Sequence, residues 1–169
     1  DYGEINNRLS RKDFERLNDD ASAYLRMQTL YEQNLEVGAD PASRRHVRLL
    51  TPSPWHAAFA TNLFIEPTAE KKKTLQKLPA DITIVHAPEF FADPSVHHTR
   101  GKTVIALDFD TGRVVIAGTS YAGEIKKSVF TYMQGVLPEE QIATMHCSAT
   151  TDEQREAVAI YFGLSGTGK

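Results

Sequence analysis

The end of the sequence constrains the fold most. Ala157-Val158-Ala159-Ile160-Tyr161-Phe162 is apolar at every position and runs directly into Gly163-Leu164-Ser165-Gly166-Thr167-Gly168-Lys169. A run with no polar alternation predicts a strand buried on both faces within a sheet. The segment after it fits G-x-x-x-x-G-K. Three glycines let successive backbone N–H groups turn inward around an anionic phosphate, where side chains would obstruct it. The lysine adds a point charge for the β- and γ-phosphates of a nucleotide, and the position after it is expected to be Ser or Thr, a Mg²⁺ ligand. A plain glycine-rich turn is the bland alternative, and the apolar strand in front argues against it.

At 169 residues with 41% hydrophobic composition, the chain can build one real core, burying roughly 68–70% of its unfolded surface. The formal net charge is -3, so there is no broad basic field and a nucleic-acid partner is not expected. Lys71, Lys72 and Lys73 read as a solvated face. Cys147 is the single cysteine, which rules out an intramolecular disulfide and fits a reducing compartment. No apolar run approaches the ~20 residues of a membrane span, and no signal-peptide core is present. A cytoplasmic protein is expected. The sequence opens on Asp1 and stops inside a motif, so it reads as a fragment.

Local patterns predict a mixed α/β (α+β) domain. Ser10 and Asp13 resemble a capping box, and Phe14, Leu17, Ala21, Tyr24 and Leu25 follow at helical spacing. Gly38-Ala39-Asp40-Pro41 is a turn-rich break. Ser53-Pro54 opens a helix through Trp55, Ala58, Phe59 and Leu63, ended by Pro67. Strands are expected only from residue 81 onward. The first is Ile82–Val85, followed by a hairpin of Val104–Leu107 and Val114–Ala117 around Asp110-Thr111-Gly112. A helix from about Glu124 carries Ile125, Val129, Phe130 and Met133 on its apolar side and closes at Leu137-Pro138. A short strand precedes His146.

Single residues say less. Lys126-Lys127 alone reads as a solvated face, Tyr121 as a core or rim aromatic, and His146 as a hydrogen-bonded structural residue. Cys147 reads as a small buried hydrophobe. His97-His98 reads as surface loop, since neighbours on an extended chain point oppositely.

Three longer segments change those readings. Gly118-Thr119-Ser120-Tyr121-Ala122-Gly123-Glu124-Ile125-Lys126-Lys127-Ser128, then Met145-His146-Cys147-Ser148-Ala149, then Phe162 to Lys169 closely resemble, in order and spacing, the ATP-dependent phosphoenolpyruvate carboxykinases. Gly38 to Pro41, Arg44, Val47-Arg48, Trp55-His56 and Asn62 to Ile65 with Pro67 look like that family too. The resemblance spans nearly the whole chain, and the wording of the glycine loop looks like the ATP-using branch.

The resemblance implies conversion of oxaloacetate and ATP to phosphoenolpyruvate, CO₂ and ADP, the gluconeogenic direction. Carried over by position, Lys127 and His146 resemble ligands of the catalytic Mn²⁺ bordering the ATP site. Tyr121 and Lys127 resemble substrate contacts, Lys126 faces the transferring phosphate, and Gly163, Leu164, Ser165, Gly166, Thr167, Gly168 and Lys169 cradle ATP with Mg²⁺. Residues 1–156 would form the N-terminal, substrate-side domain, a mixed sheet flanked by helices. Residues 157–169 would begin the nucleotide-binding domain, and a C-terminal lobe with the remaining ligands would lie beyond. A lysine ligates metal only as the neutral amine, and a neighbouring cation with the metal's own charge would favour that form. Several positions depart from the family's pattern: Ser120, Ala122, Glu66, Thr150 and the stretch from Thr151 to Glu156. A carrier-protein kinase with the same loop, and a nucleotide-binding module without chemistry, are the competing readings.

Overall fold

The computed structural model describes residues 8–154 and 156–168. Its packing divides into two units, one ending at Tyr132 and the other beginning at Met133.

In the first unit, helix α1 (Arg11–Arg26) starts where Ser10 accepts a hydrogen bond from the Asp13 amide, as the sequence predicted. Its stripe of Phe14, Leu17, Ala21 and Leu25 is buried against Val85, Ala87, Val115 and Ala117. Strands β1 (Tyr31–Val37) and β2 (Arg45–Thr51) follow, then helices α2 (Pro54–Ala60) and α3 (Ala69–Leu75), strand β3 (Ile82–Ala87) and the single turn α4 (Pro94–His97). Strands β4 (Val104–Asp108) and β5 (Arg113–Ala117) form the expected hairpin, and helix α5 (Gly123–Val136) begins after a loop. The five strands make one mixed sheet in the order β1-β2-β3-β5-β4. β2, β3 and β5 run parallel, and β1 and β4 are antiparallel edges. The mixed α/β class with flanking helices therefore holds.

Strand alternation sorts β3 by face. Val85 and Ala87 meet α1, and His86, pointing the other way, packs its ring 4.4 Å from that of His56 in α2.

Four expectations for this unit are corrected. β1 and β2 are strands that the sequence reading did not place before residue 81. They were hidden because buried positions carry polar groups: Asn34 is fully buried and accepts from Arg48 Nε at 3.1 Å, with His46 Nε2 at 2.8 Å. α2 stops at Ala60, well before Pro67, and buries His56, Ala57 and Ala60 while Trp55 stays 58% exposed. The lysine run is not wholly solvated, because Lys71 Nζ pairs at 2.7 Å with the buried carboxylate of Glu36. His97 is a buried residue of α4, its Nε2 3.1 Å from Asp20 Oδ2, whereas His98 is exposed beside Asp13.

The second unit holds the end of α5, a 3₁₀ turn at Leu137–Glu140 where the helix was expected to close, and an antiparallel ribbon of β6 (Cys147–Thr151) and β7 (Val158–Phe162). The strand expected before His146 lies after it. β7 is exposed along its whole length, not buried as its composition predicted: an apolar strand needs a cover, and among the described residues β6 is its only sheet neighbour. Cys147 is half-buried, not buried.

Candidate functional site

β5 delivers the chain to Gly118, whose φ is 70°. A β-carbon there would sit 2.9 Å from the Lys102 carbonyl oxygen, so the left-handed turn and the close approach both call for glycine. The following loop is fixed by local bonds. The Tyr121 amide donates to Thr119 Oγ1 at 3.1 Å, and the amides of Glu124 and Ile125 donate to the carbonyls of Tyr121 and Ala122. The turn thus feeds directly into α5.

Tyr121 is 58% exposed, and its ring lies across Gly123, where a side chain would collide with it. Lys127 Nζ stands 5.1 Å from the ring centroid and 3.8 Å from Glu124 Oε1. The structure therefore brings Tyr121 and Lys127 together at one helix start. Lys126 is exposed and diverges from Lys127, since neighbouring helical residues point about 100° apart.

Under this loop lie two residues that the sequence reading did not single out as site residues, His56 and His86. His56 Nε2 donates to the Ser120 carbonyl at 3.0 Å, and its Nδ1 is 2.8 Å from Ser53 Oγ. His86 is fully buried, with Nδ1 2.9 Å from Thr51 Oγ1 and Nε2 without a hydrogen bond. Burial, reinforced by the adjoining His56, pushes His86 down to about 4, while the Thr119 backbone acts in the opposite sense. No sequence signal joins two histidines thirty positions apart. Only the pairing of β3 with β5 and the seating of α2 bring them beneath the loop.

In the second unit, the register Cys147↔Phe162 sets His146, one residue before β6, at the same end of the ribbon as Gly163, one residue after β7. His146 is exposed in the bend leading to β6. From Gly163 to Gly168 the chain folds back through a turn in which Thr167 N and Oγ1 both donate to the Leu164 carbonyl, the hydroxyl at 2.7 Å. Gly166 and Gly168 take φ of 83° and 84°, with open space where a β-carbon would stand. Left-handed glycines alternating with other residues are the backbone pattern of an anion-binding nest. A hollow of about 280 Å³ opens beside it, lined by Ile160, Tyr161, Phe162, Thr167 and Gly168. Lys169, the expected phosphate contact, lies outside the described residues.

Among the described residues no group of three or more His, Cys, Asp or Glu side chains is placed to hold a metal ion. The donors of this segment that suit a divalent cation are the amine of Lys127 and the imidazole of His146, two nitrogens. Each supplies one donor nitrogen. No helix of the described residues is long and apolar enough to cross a membrane.

The family profile for phosphoenolpyruvate carboxykinase matches residues 1–169. The chain is similar to proteins named phosphoenolpyruvate carboxykinase (ATP) from Methylobacterium sp. (44% identical over 164 residues), Agrobacterium fabrum (45% over 164) and Methylorubrum populi (46% over 166). Each alignment covers 97% of this chain and 30% of the relative. The chain belongs to the phosphoenolpyruvate carboxykinase family, and it spans about 30% of the length of the curated relatives it matches.

Proposed function

We propose that this segment contributes the substrate loop and the phosphate loop of an ATP-dependent carboxykinase, which converts oxaloacetate and ATP into phosphoenolpyruvate, CO₂ and ADP. The observation that carries the reading is the pairing of Tyr121 with Lys127 in a chain that matches the family along its whole length. The placement of His146 beside Gly163 supports it.

In this reading oxaloacetate loses its terminal carboxylate as CO₂, and the electron pair of the broken C–C bond forms an enolate. The enolate oxygen attacks the γ-phosphorus of ATP, and ADP leaves. Such phosphoryl transfer depends mainly on positioning and on neutralising oxygen charge. Tyr121 contacts and orients oxaloacetate, Lys126 faces the transferring phosphoryl group, and the backbone of residues 163–169 holds the ATP phosphates. Lys127 and His146 are the residues that would hold a divalent cation, Mn²⁺ or Mg²⁺. That ion, when bound, supplies Lewis-acid stabilisation of the enolate oxygen.

Residues 1–156 then act as the substrate-side domain, residues 157–169 open the nucleotide-binding domain, and the rest of the family's length provides the remaining ligands and covers β7. The one free cysteine fits a reducing, cytoplasmic setting. The 169 residues alone are expected to show no turnover. The test is oxaloacetate- and Mn²⁺-dependent ADP formation by the full-length protein, with ATP compared against GTP. Turnover with ATP and not GTP supports the reading. No turnover with either nucleotide, from folded and metal-loaded protein, removes it.

A further inference from the structure

We infer that His56 is a positioning residue for the substrate loop, holding the Ser120 carbonyl so that Tyr121 is presented outward. The inference rests on the proposed role of Tyr121 in binding oxaloacetate.

The geometry fixes the direction of the contact. A carbonyl oxygen only accepts, so His56 Nε2, 3.0 Å from Ser120 O, carries the proton. With one ring proton, placed on Nε2, Nδ1 is left to accept from the Ser53 hydroxyl 2.8 Å away. Ser53 is anchored in turn, its amide donating to Thr51 Oγ1 at 3.2 Å. A continuous line of hydrogen bonds therefore runs from the end of β2, through the first turn of α2, to the residue before Tyr121.

The ring itself has little freedom. His56 is 5% exposed, with Trp55 edge-on at 4.8 Å and His86 at 4.4 Å between ring centroids. His86 is fully buried, so it backs His56 as a fixed wall. The Ser120 carbonyl has no other hydrogen bond in the described structure, whereas the adjoining Tyr121 amide and carbonyl are both tied locally. His56 is consequently the tertiary tie of the Ser120 carbonyl, two residues beyond the point where Gly118 is held by Ala87 and Thr103. Removing a donor from a part-buried carbonyl exposes the loop to rearrangement, and a shift of about 1 Å in a substrate-orienting group is enough to weaken productive binding.

Three substitutions separate positioning from mere packing. His56→Gln places an amide N–H where Nε2 stands and keeps the tie. His56→Asn places its amide at the Nδ1 end, keeps Ser53 and cannot reach Ser120. His56→Leu loses both. Each full-length variant is measured for the KM of oxaloacetate and of ATP, and for hydrogen–deuterium exchange of the peptide covering residues 118–123. The expected result is a roughly 10-fold rise in oxaloacetate KM for the Asn and Leu variants, with ATP KM unchanged within about twofold. Exchange in the loop speeds up in both and returns towards wild type in the Gln variant. If the Asn and Gln variants behave alike in exchange and in KM, the inference is wrong. Should the Leu variant fail to fold, the Asn–Gln comparison still decides. Absence of carboxykinase turnover in the wild-type protein would remove the proposed function alone, since loop exchange would still report whether His56 ties Ser120.

Discussion

Lys127 stands over the face of Tyr121, 5.1 Å from the ring centroid, while Glu124 holds the same ammonium group from the side at 3.8 Å. At an exposed position a cation–π contact contributes about 0.5–1 kcal/mol and a helical ion pair less. Neither is large enough to justify an exposed aromatic ring for stability alone. Under the proposed function, the pairing preorganises two groups that meet oxaloacetate together. Replacing Lys127 with Met is expected to lower kcat of the full-length enzyme by at least ~10²-fold with little change in thermal stability. Tyr121→Ala should act mainly on oxaloacetate KM. Steady-state kinetics beside a melting curve separates the two effects. A Lys127→Met enzyme with wild-type kcat would take the lysine out of the chemistry.

Two left-handed glycines test different things. At Gly112 (φ 64°), in the turn that joins β4 to β5, a β-carbon would fall far inside van der Waals contact with the Asp81 carbonyl oxygen. At Gly166 (φ 83°) nothing lies within 4 Å. Gly112→Ala is expected to destabilise by at least about 2 kcal/mol, from clash added to backbone strain. Gly166→Ala should cost about 1 kcal/mol of local strain and lower ATP affinity sharply, because a methyl group enters the space proposed for phosphate. Differential scanning calorimetry and ATP titration check both. Equal ATP affinity in wild type and Gly166→Ala would count against the phosphate-loop role.

What could be read from the sequence follows from physics that is local in the chain. Helix α1 and the β4–β5 hairpin were legible because apolar spacing, a Ser N-cap and a glycine turn lie within a few residues of each other. β1 and β2 were not. Their buried positions include Asn34, Glu36 and His46, whose partners come from distant residues such as Arg48, Lys71 and Asp81. Polar groups satisfied by tertiary contacts erase the period-2 signal. β7 misled in the opposite direction, since an apolar sequence states what a strand prefers and not whether anything covers it. Tyr121 and Lys127 were singled out from a motif, and the fold brings them into contact. His56 stood in the motif without a role, and His86 carried no signal, because their significance arises only where α2 seats His56 against His86 of β3.

Leu17 measures how much α1 contributes. It is fully buried in the cluster between the helix and strands β3 and β5. Leu17→Ala is expected to destabilise by about 2–5 kcal/mol, the transfer loss plus the cavity left behind. Met27, at 84% exposed just beyond the helix, serves as the control, and Met27→Ala should change stability by no more than about 0.5 kcal/mol. Chemical denaturation of both variants checks this. A Leu17→Ala loss below 1 kcal/mol would mean that the helix is not a keystone of the sheet's inner face.

His86 should make the fold sensitive to acid. Burial, with His56 close by, pushes its ring down to about 4, below the ~6.5 of an unfolded histidine. The unfolded chain therefore binds a proton that the folded chain refuses between those two values. Above pH 6.5 both states are neutral at this site and stability is unaffected. As pH falls from 6.5 towards 4 the unfolded state gains protonation and stability declines, the loss levelling off below 4 at roughly 3 kcal/mol. His46, held down by its own burial, adds a smaller contribution of the same sign. His86→Asn should flatten the stability profile over this window, and NMR titration of the His86 ring should give a midpoint near 4. A midpoint near 6.5, or an unchanged profile in His86→Asn, would show that the ring is reached by water and that the wall behind His56 is not dry.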